Sequence, residues 1–182
     1  MISAEEVIDP DLPIIDPHHH LWDRNGDRYL LDELLADTAQ ADAHGARHNV
    51  RGTVFVECAA MYNAGGPDPM RPLGETEFVN GIAAMSASGG YGDTRVAAGI
   101  VGFADLCLGS AVREVLEAHI GAARGRFRGI RHAAGWHASE QIRNSHSNPI
   151  EHLLLDARFR EGFAQLAPLG LSFDAWLFHT QI

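Results

Sequence analysis

The chain has 182 residues, of which 46% are hydrophobic and 21% charged, a balance that suits one globular domain with a packed core. Its 14 Lys and Arg residues against 24 Asp and Glu residues give a formal net charge of −10, which argues against nucleic-acid binding because that function needs a basic surface. The opening residues lack the apolar core of a signal peptide, and no apolar run is long enough to span a bilayer. We therefore expect a cytoplasmic protein without nucleic-acid or membrane partners.

The first predicted element is a strand over residues 12–20, which follows a polar, proline-punctuated lead-in over residues 1–12. The β-branched pair Ile14 and Ile15 favours an extended backbone in this strand. The polar stretch DRNGDR is predicted to be a loop. Residues 30–44 have the leucine spacing of an amphipathic helix that ends just before a glycine.

The middle of the chain alternates strands with helices. Residues 51–58 contain the unbroken apolar run VFV, which is typical of a strand buried on both faces of a parallel sheet. A long loop then leads to a predicted helix over residues 75–87 and a third strand over residues 95–101. Ser110 is predicted to cap a third helix, and residues 127–132 are predicted to form a fourth strand.

The last third of the chain continues the pattern. Asn148 is predicted to cap a helix that begins at the following proline. A second helical segment over residues 156–169 would be capped by Asp156 and stopped by Gly170. Residues 171–178 are predicted to form the fifth strand.

This order of elements indicates a parallel sheet with helical crossovers. No turn of the GxGxxG or GxxxxGK[ST] type follows the first strand, which counts against a doubly wound nucleotide-binding domain. A complete barrel needs eight units and typically about 250 residues. The predicted fold class is therefore α/β, a partial (β/α)8 TIM barrel with about the first four to five β/α units, and residues 1–182 form a single part of it.

Three consecutive histidines, His18, His19 and His20, end the first predicted strand. Side chains alternate between the faces of a strand, so His18 and His20 should project together and His19 away from them. Imidazoles on alternate positions start roughly 6.6–6.8 Å apart at the backbone and can converge on one metal ion or one substrate oxygen. Barrels place their chemistry at this end of their strands, so we interpret the pair as functional and His19 as structural.

The stretch IIDPHHHLWD resembles the opening motif of the amidohydrolase superfamily, in particular its amidohydrolase-related (amidohydrolase 2) branch with sugar-acid lactonases and 2-pyrone-4,6-dicarboxylate lactonase. IVGFADL is similar to the third-strand region of that branch, FRGIRH to its fourth-strand GxR segment, and LLLDARFREGFAQLAPLGLSFDAWLFHTQI to its fourth helix and fifth strand. The resemblance covers nearly the whole chain. It implies hydrolysis inside a (β/α)8 barrel of which this chain is the amino-terminal half.

The resemblance also implies roles for individual residues. His18 and His20 match the HxH pair, which makes them candidate catalytic residues and candidate metal ligands. Arg131 matches the arginine of the fourth-strand motif, which would bind carboxylate or carbonyl oxygens of the substrate through its bidentate fork. His179 matches a histidine at the end of the fifth strand that binds a ligand or substrate.

Three more residues are candidates for substrate binding because of their positions. Glu57 ends the second predicted strand, His132 lies at the exit of the fourth, and Trp22 follows the histidine motif. Each has a structural alternative. Glu57 could pair with a neighbouring base, His132 could belong to a loop that packs on itself, and Trp22 could lie in the core.

The implied reaction is attack of water on the carbonyl of a lactone, or of a related ester or amide, in a small carboxylate or sugar-acid substrate. Two versions stay open. A divalent metal ion, zinc before others, held by His18 and His20 would activate the water and polarise the carbonyl. Without a metal, the same histidines and Arg131 would hydrogen-bond the substrate and its developing oxyanion. In the branch, a strand-eight Asp activates the water, and nothing in this sequence replaces it.

A second hypothesis is a catalytically incomplete half barrel that survives as a relic or a self-associating module. The first and fifth strands would each have an unpaired edge, and such edges promote association. A homo-oligomer is therefore a candidate assembly. A metal-binding module without catalysis is a third candidate class.

Overall fold

A computed structural model describes residues 6–182, so the first five residues of the predicted lead-in lie outside the described part. The strands are β1 Pro13–His19, β2 Trp22–Arg24, β3 Asp27–Tyr29, β4 Asn49–Val56, β5 Arg95–Gly102, β6 Phe127–Ile130 and β7 Ser172–Phe173. The helices are α1 Leu31–Thr38, α2 Leu73–Ala87, α3 Val112–Ala122 and α4 Ala157–Phe163. Short 3-10 helices cover Asp68–Met70, Leu106–Ala111, Leu153–Leu155, Ala167–Leu169 and His179–Gln181.

The centre of the molecule is a curled five-stranded sheet with the order β1-β4-β5-β6-β7. Every neighbouring pair in it is parallel. The predicted α/β class with a parallel sheet is therefore confirmed. β1 and β7 form the two edges of the sheet, so each has a neighbour on one side only within the described residues.

One face of the sheet is covered by helices and holds the core. Phe55 of β4, Ile100 of β5 and Ile130 of β6 have no exposed surface. They belong to a cluster that also contains Val79 of α2 and Leu116 of α3. Burial of side chains of this size contributes about 1.5–3 kcal/mol each, so this cluster is the main stabilising feature of the fold.

The other face of the sheet is open. Ile15 of β1 is 61% exposed, although it is β-branched and apolar. A Cβ atom placed on Gly52 of β4 would lie 3.5 Å from Cδ1 of Ile15 and 3.9 Å from Cβ of Ala98, so these residues share this face. No helix covers this side among residues 6–182, which is the arrangement of an incomplete cylinder.

The stretch DRNGDR, predicted as a loop, forms an antiparallel hairpin instead. β2 and β3 pair through Trp22 with Tyr29 and Arg24 with Asp27. The turn residues Asn25 and Gly26 have φ values of 54° and 80°, the left-handed conformation that a tight hairpin turn requires and that Asn-Gly supplies. The Asn25-Gly26 pair is a typical sequence signal for such a hairpin, and the loop prediction did not use it.

Two helix predictions need correction before residue 123. α1 ends at Thr38 instead of residue 44 because Asp42 offers the backbone other hydrogen bonds: its carboxylate accepts from the N–H groups of His44 at 2.8 Å and Ala46 at 2.9 Å. Ser110 does not cap α3, which begins at Val112 without a side-chain cap.

The predicted helix after Asn148 does not form. Asn148 has a φ of 48°, and its N–H donates to the carbonyl of Ser145 at 2.9 Å, so this segment turns back on itself. The cap at Asp156 is confirmed, since its carboxylate accepts from two N–H groups of α4 at 2.9 and 3.0 Å. Gly170, with a φ of 67°, ends the helical region as predicted.

The predicted fifth strand over residues 171–178 shortens to the two residues of β7. Beyond Phe173 the chain no longer forms a regular strand, and isolated backbone hydrogen bonds connect it to the segment that follows β6. The N–H of Asp174 donates to the Ile130 carbonyl and the N–H of Ala134 donates to the Trp176 carbonyl, both at 2.9 Å. This strand end forms one wall of the site described below.

Replacing Gly129 by alanine should lower the free energy of unfolding by about 1–3 kcal/mol, because an added Cβ would overlap the backbone and hydroxyl of Ser172 where β6 meets β7. Chemical denaturation measures the change. The control is Gly121→Ala in α3, where the added Cβ meets nothing within 4 Å and alanine is the better helix former. Equal stability changes in both variants would contradict this account of the β6–β7 contact.

Candidate active site

A cavity of about 740 Å³ lies at the carboxyl ends of the sheet strands. In parallel sheets these ends meet at one edge, so loops that are distant in sequence can share one pocket there. The lining comes from the end of β1 and the residue after it, from β2, and from segments that follow β4, β6 and β7. The residues are His18, His20, Arg24, Cys58, Arg131, His146, Asp174, Ala175 and Trp176.

His18 and His20 meet in this cavity, as the alternation of side chains along the strand predicts. Their Nε2 atoms are 3.2 Å apart, and the rings stand nearly perpendicular at 89°. His20 Nδ1 lies 2.7 Å from the carbonyl oxygen of Val56. A carbonyl can only accept, so Nδ1 carries the proton and Nε2 keeps its lone pair. Burial lowers the pKa of His20, which favours this neutral form.

The histidine pair can be tested as a metal site from its donor atoms. Two nitrogen ligands at about 2.0–2.1 Å from a tetrahedral ion lie about 3.3 Å apart, close to the observed 3.2 Å. The bond from His20 to a backbone carbonyl is also the usual support of a ligating histidine. Within residues 6–182, however, no three His, Cys, Asp or Glu side chains are grouped so that they could hold an ion. The pair therefore fits two ligands of a site whose third ligand the described chain does not provide.

His19 points to the opposite side, as expected. It is 6% exposed and packs edge-on against Phe55 with ring centroids 5.8 Å apart. Burial lowers the pKa of His19 to about 4, so the ring is neutral near pH 7. This histidine belongs to the core.

Arg131 leaves the end of β6 and reaches across the sheet to Glu57 at the end of β4. Its Nε donates to Glu57 Oε1 at 2.7 Å and its Nη2 donates to the Glu57 carbonyl at 2.5 Å. The guanidinium also lies 5.5 Å from the ring centre of Trp176, within cation–π range. Arg131 thus lines the cavity while Glu57 fixes its position.

Glu57 does not contact the cavity, because its side chain is completely buried. Glu57 is instead paired with Arg131, which is the arrangement that the structural alternative describes. Burial alone would raise the pKa of Glu57, but the hydrogen bond from His146 and the charge of Arg131 outweigh it and lower the pKa. Glu57 is an ionised anchor beneath the pocket.

Three other candidates lie outside the cavity. Trp22 stacks on Tyr29 in the hairpin, with ring centroids 5.4 Å apart. His132 is buried beside Phe159, and its Nδ1 accepts from the Leu106 N–H at 3.3 Å. His179 is exposed in the last 3-10 helix, because the fifth strand ends well before it. Trp22 lines a neighbouring cavity of about 610 Å³ together with His18 and His20, whereas His132 and His179 line neither cavity.

Sequence reasoning missed six of the nine lining residues: Arg24, Cys58, His146, Asp174, Ala175 and Trp176. Arg24 comes from the β2–β3 hairpin, and its Nη2 donates to the Cys58 carbonyl at 3.3 Å. The only sequence signals for the others were that Cys58 ends the second predicted strand, His146 follows the fourth, and residues 174–176 lie within the fifth. With two arginines against one carboxylate, the lining is locally basic in a chain of formal charge −10.

The chain is similar in sequence to a curated bacterial protein whose function has not been assigned. No family model matches the chain, and no solved structure gives a significant match. The chain is 31% identical over 183 aligned residues to the uncharacterized protein y4mH of Sinorhizobium fredii. The match covers 94% of this chain but 56% of the relative, so the chain spans a little over half of the relative's length.

The helices were also compared with the length and apolar character of membrane-spanning segments. None of those among residues 6–182 combines the length and the apolar character needed to cross a bilayer.

Proposed function

We propose that the chain is the amino-terminal part of a hydrolase of the amidohydrolase-related type, built on the first four to five units of a (β/α)8 barrel. In the proposed reaction, water attacks the carbonyl of a lactone, or of a related ester or amide, in a small carboxylate or sugar-acid substrate. The curled parallel sheet and the basic pocket at its carboxyl edge support this assignment.

The observation that carries the proposal is the convergence of His18 and His20 beside Arg131 in one cavity. Hydrogen-bond donors and positive charge at one point stabilise the oxyanion that forms when water adds to a carbonyl. Arg24 and Arg131 also give the pocket affinity for a carboxylate on the substrate. The local charge matters because the acidic chain as a whole repels anions.

A metal-assisted and a metal-free version of this reaction use the same residues. His18 and His20 would hold the ion, and a bound divalent ion such as zinc supplies an acidified water and a polarised carbonyl. Without an ion, His20 Nε2 can only accept a hydrogen bond, so His18 and Arg131 supply the donors at the carbonyl oxygen. Loss of turnover on chelation, restored by zinc, would identify the first version, and turnover that survives chelation would identify the second.

Turnover of a panel of lactones, with and without a carboxylate substituent, tests the proposal. We expect hydrolysis to be faster with the carboxylate. We expect His20→Asn to lower kcat by about 100- to 1000-fold, because it removes a metal ligand or the acceptor that holds the His18 donor beside the developing oxyanion. The matched control is His44→Asn, an exposed histidine of the loop after α1. Absence of turnover on the whole panel, or equal rates for the two variants, would contradict the proposal.

Self-association is a second candidate function, favoured by the open edges of β1 and β7 and the exposed Ile15. A second copy could pair with an edge strand and cover this face. Analytical ultracentrifugation should then show a dimer or larger species that Ile15→Glu converts to monomer. Ile142→Glu, at an exposed isoleucine away from the sheet, should leave the mass unchanged. A monomer at all concentrations would exclude this candidate.

A further inference from the structure

The β2–β3 hairpin brings Arg24 to the pocket, and this arginine forms no ion pair with any Asp or Glu between residues 6 and 182. The second arginine of the hairpin behaves differently. Arg28 is paired with Asp32 at 3.5 Å and with Glu33 at 3.2 Å. The hairpin therefore carries one neutralised and one unneutralised cation, and the unneutralised one lines the cavity.

The guanidinium of Arg24 is held in place from two sides. Its Nη2 donates to the Cys58 carbonyl at 3.3 Å, and its central carbon lies 5.7 Å from the ring centre of Trp22, within cation–π range. Cys58 is itself fixed, because its N–H donates to the buried Glu75 at 3.0 Å. Within residues 6–182 the bond to Cys58 is the one hydrogen bond that this guanidinium donates, so most of its planar fork is free for a ligand.

The basic groups on the β6 side of the cavity are already engaged with Glu57. Arg131 donates to it through Nε and Nη2, and the buried carboxylate balances the charge of the guanidinium. His146 lies with Nε2 3.1 Å from the other carboxylate oxygen. These two side chains therefore give little net charge to a second anion.

The histidine pair is committed as well. The two Nε2 atoms are 3.2 Å apart, and the proposed function places the reacting carbonyl beside them. His20 is also bonded through Nδ1 to the Val56 carbonyl. A substrate carboxylate on these rings would displace the carbonyl that is to be attacked. Arg24 is therefore the basic group of the lining whose charge and donors remain for a different part of the substrate.

The acidic group of the lining strengthens this distinction. Asp174 lies on the wall that follows β7, whereas Arg24 comes from the hairpin that follows β1, at the opposite edge of the sheet. An anion in the cavity is repelled by Asp174 and attracted by Arg24, so it should lie at the hairpin end. The cavity of about 740 Å³ is large enough to hold a small ring compound between the two walls.

We propose that Arg24 is a specificity-determining residue of this pocket, which binds the carboxylate substituent of the substrate while His18 and Arg131 contact the lactone carbonyl. The inference rests on the proposed hydrolase function and deepens it, because it fixes which end of the substrate faces the hairpin. Arg24 takes no part in activating the water. Its contact is the same before and during the reaction, so it affects KM and leaves kcat nearly unchanged.

Steady-state kinetics on two matched lactones test the assignment, one with a carboxylate substituent and one with a hydroxymethyl group in its place. We expect Arg24→Gln to raise KM for the carboxylate lactone by about 10- to 100-fold, with kcat within about threefold, and to leave the hydroxymethyl lactone unchanged. Arg24→Lys should recover part of the loss, because an ammonium keeps the charge but not the fork. The matched control is Arg28→Gln, which removes the paired arginine of the same hairpin and should affect neither lactone.

Arg24 is exposed on the hairpin, so these substitutions remove no core contact. Equal effects of Arg24→Gln on both lactones, or a loss confined to kcat, would overturn the inference while the hydrolase proposal stands. An unaltered KM for the carboxylate lactone in the charge-reversed variant Arg24→Glu would overturn it too. Added salt should reduce the preference for the carboxylate lactone in the unaltered protein, since it screens an exposed charge.

A binding measurement does not depend on turnover. The probes are tetrahydropyran-2-carboxylate and tetrahydropyran-2-methanol, two rings of lactone size without a bond that water hydrolyses. In ¹⁵N–¹H titrations we expect the carboxylate to bind at least about 10-fold more tightly than the alcohol, and Arg24→Gln to abolish this difference. Equal binding of both probes to the unaltered protein would overturn the inference. A preference that depends on Arg24, without turnover of any lactone, would instead remove the hydrolase proposal and keep the carboxylate site.

Discussion

Replacing Arg131 by methionine should lower the free energy of unfolding by about 3–5 kcal/mol, because it leaves the completely buried Glu57 carboxylate without its cationic partner. Urea denaturation at pH 7 measures the loss. Turnover should fall as well, since the same guanidinium lines the pocket.

Two variants separate this effect from a general loss of charge. Arg113→Met removes an exposed arginine whose Nε lies 2.8 Å from Glu117, and such surface pairs contribute about 0–1 kcal/mol. The double variant Glu57→Gln, Arg131→Met should be more stable than Arg131→Met alone, because it removes the uncompensated buried charge. A double variant that is less stable than Arg131→Met would show that the burial of the carboxylate is not the cause.

The second large effect concerns Glu75 of α2, a buried carboxyl next to the pocket. Its Oε1 accepts from the N–H groups of Cys58 at 3.0 Å and Ala60 at 2.8 Å, and its buried Oε2 has no hydrogen-bond partner within residues 6–182. Burial raises the pKa of Glu75 from 4.5 to about 7. Glu75 thereby holds the turn that follows Glu57 in a protonated form.

Because the folded carboxyl keeps its proton to a higher pH than the unfolded one, the stability it contributes is lost as pH rises from about 4.5 to 7. The shift amounts to roughly 3 kcal/mol. Glu75→Gln cannot ionise, so its stability relative to the unaltered protein should rise by that amount over this range. Denaturation curves at pH 4.5, 6 and 8 measure the difference.

Comparing Glu75→Gln with the unaltered protein separates the contribution of Glu75 to the pH dependence of stability from that of other buried groups. His19 and His119 have pKa values lowered to about 4 by burial, so they favour the folded state less as pH falls below 6.5, but they do so equally in both proteins. The control Glu77→Gln, an exposed neighbour on α2, should show no pH-dependent difference. A constant difference between Glu75→Gln and the unaltered protein would mean that Glu75 is ionised in the fold.

The sequence by itself determined the parallel α/β architecture and the histidine pair of the pocket. Strand β4 could be predicted from its apolar run, and the meeting of His18 and His20 could be predicted because alternate residues of a strand share a face. The cap at Asp156 followed from local hydrogen bonding. These features depend on residues within a few positions of each other, and local rules describe them well.

Tertiary structure alone decided how the pocket is supported. His146 lies 89 positions from Glu57, and Arg131 lies 74 positions from it, so no local pattern links them. The sheet order brings the ends of β4 and β6 to one edge and buries the carboxylate between two partners. The same long-range packing left His132 and His179 outside the pocket, because strand ends and loop paths are fixed by contacts between distant segments.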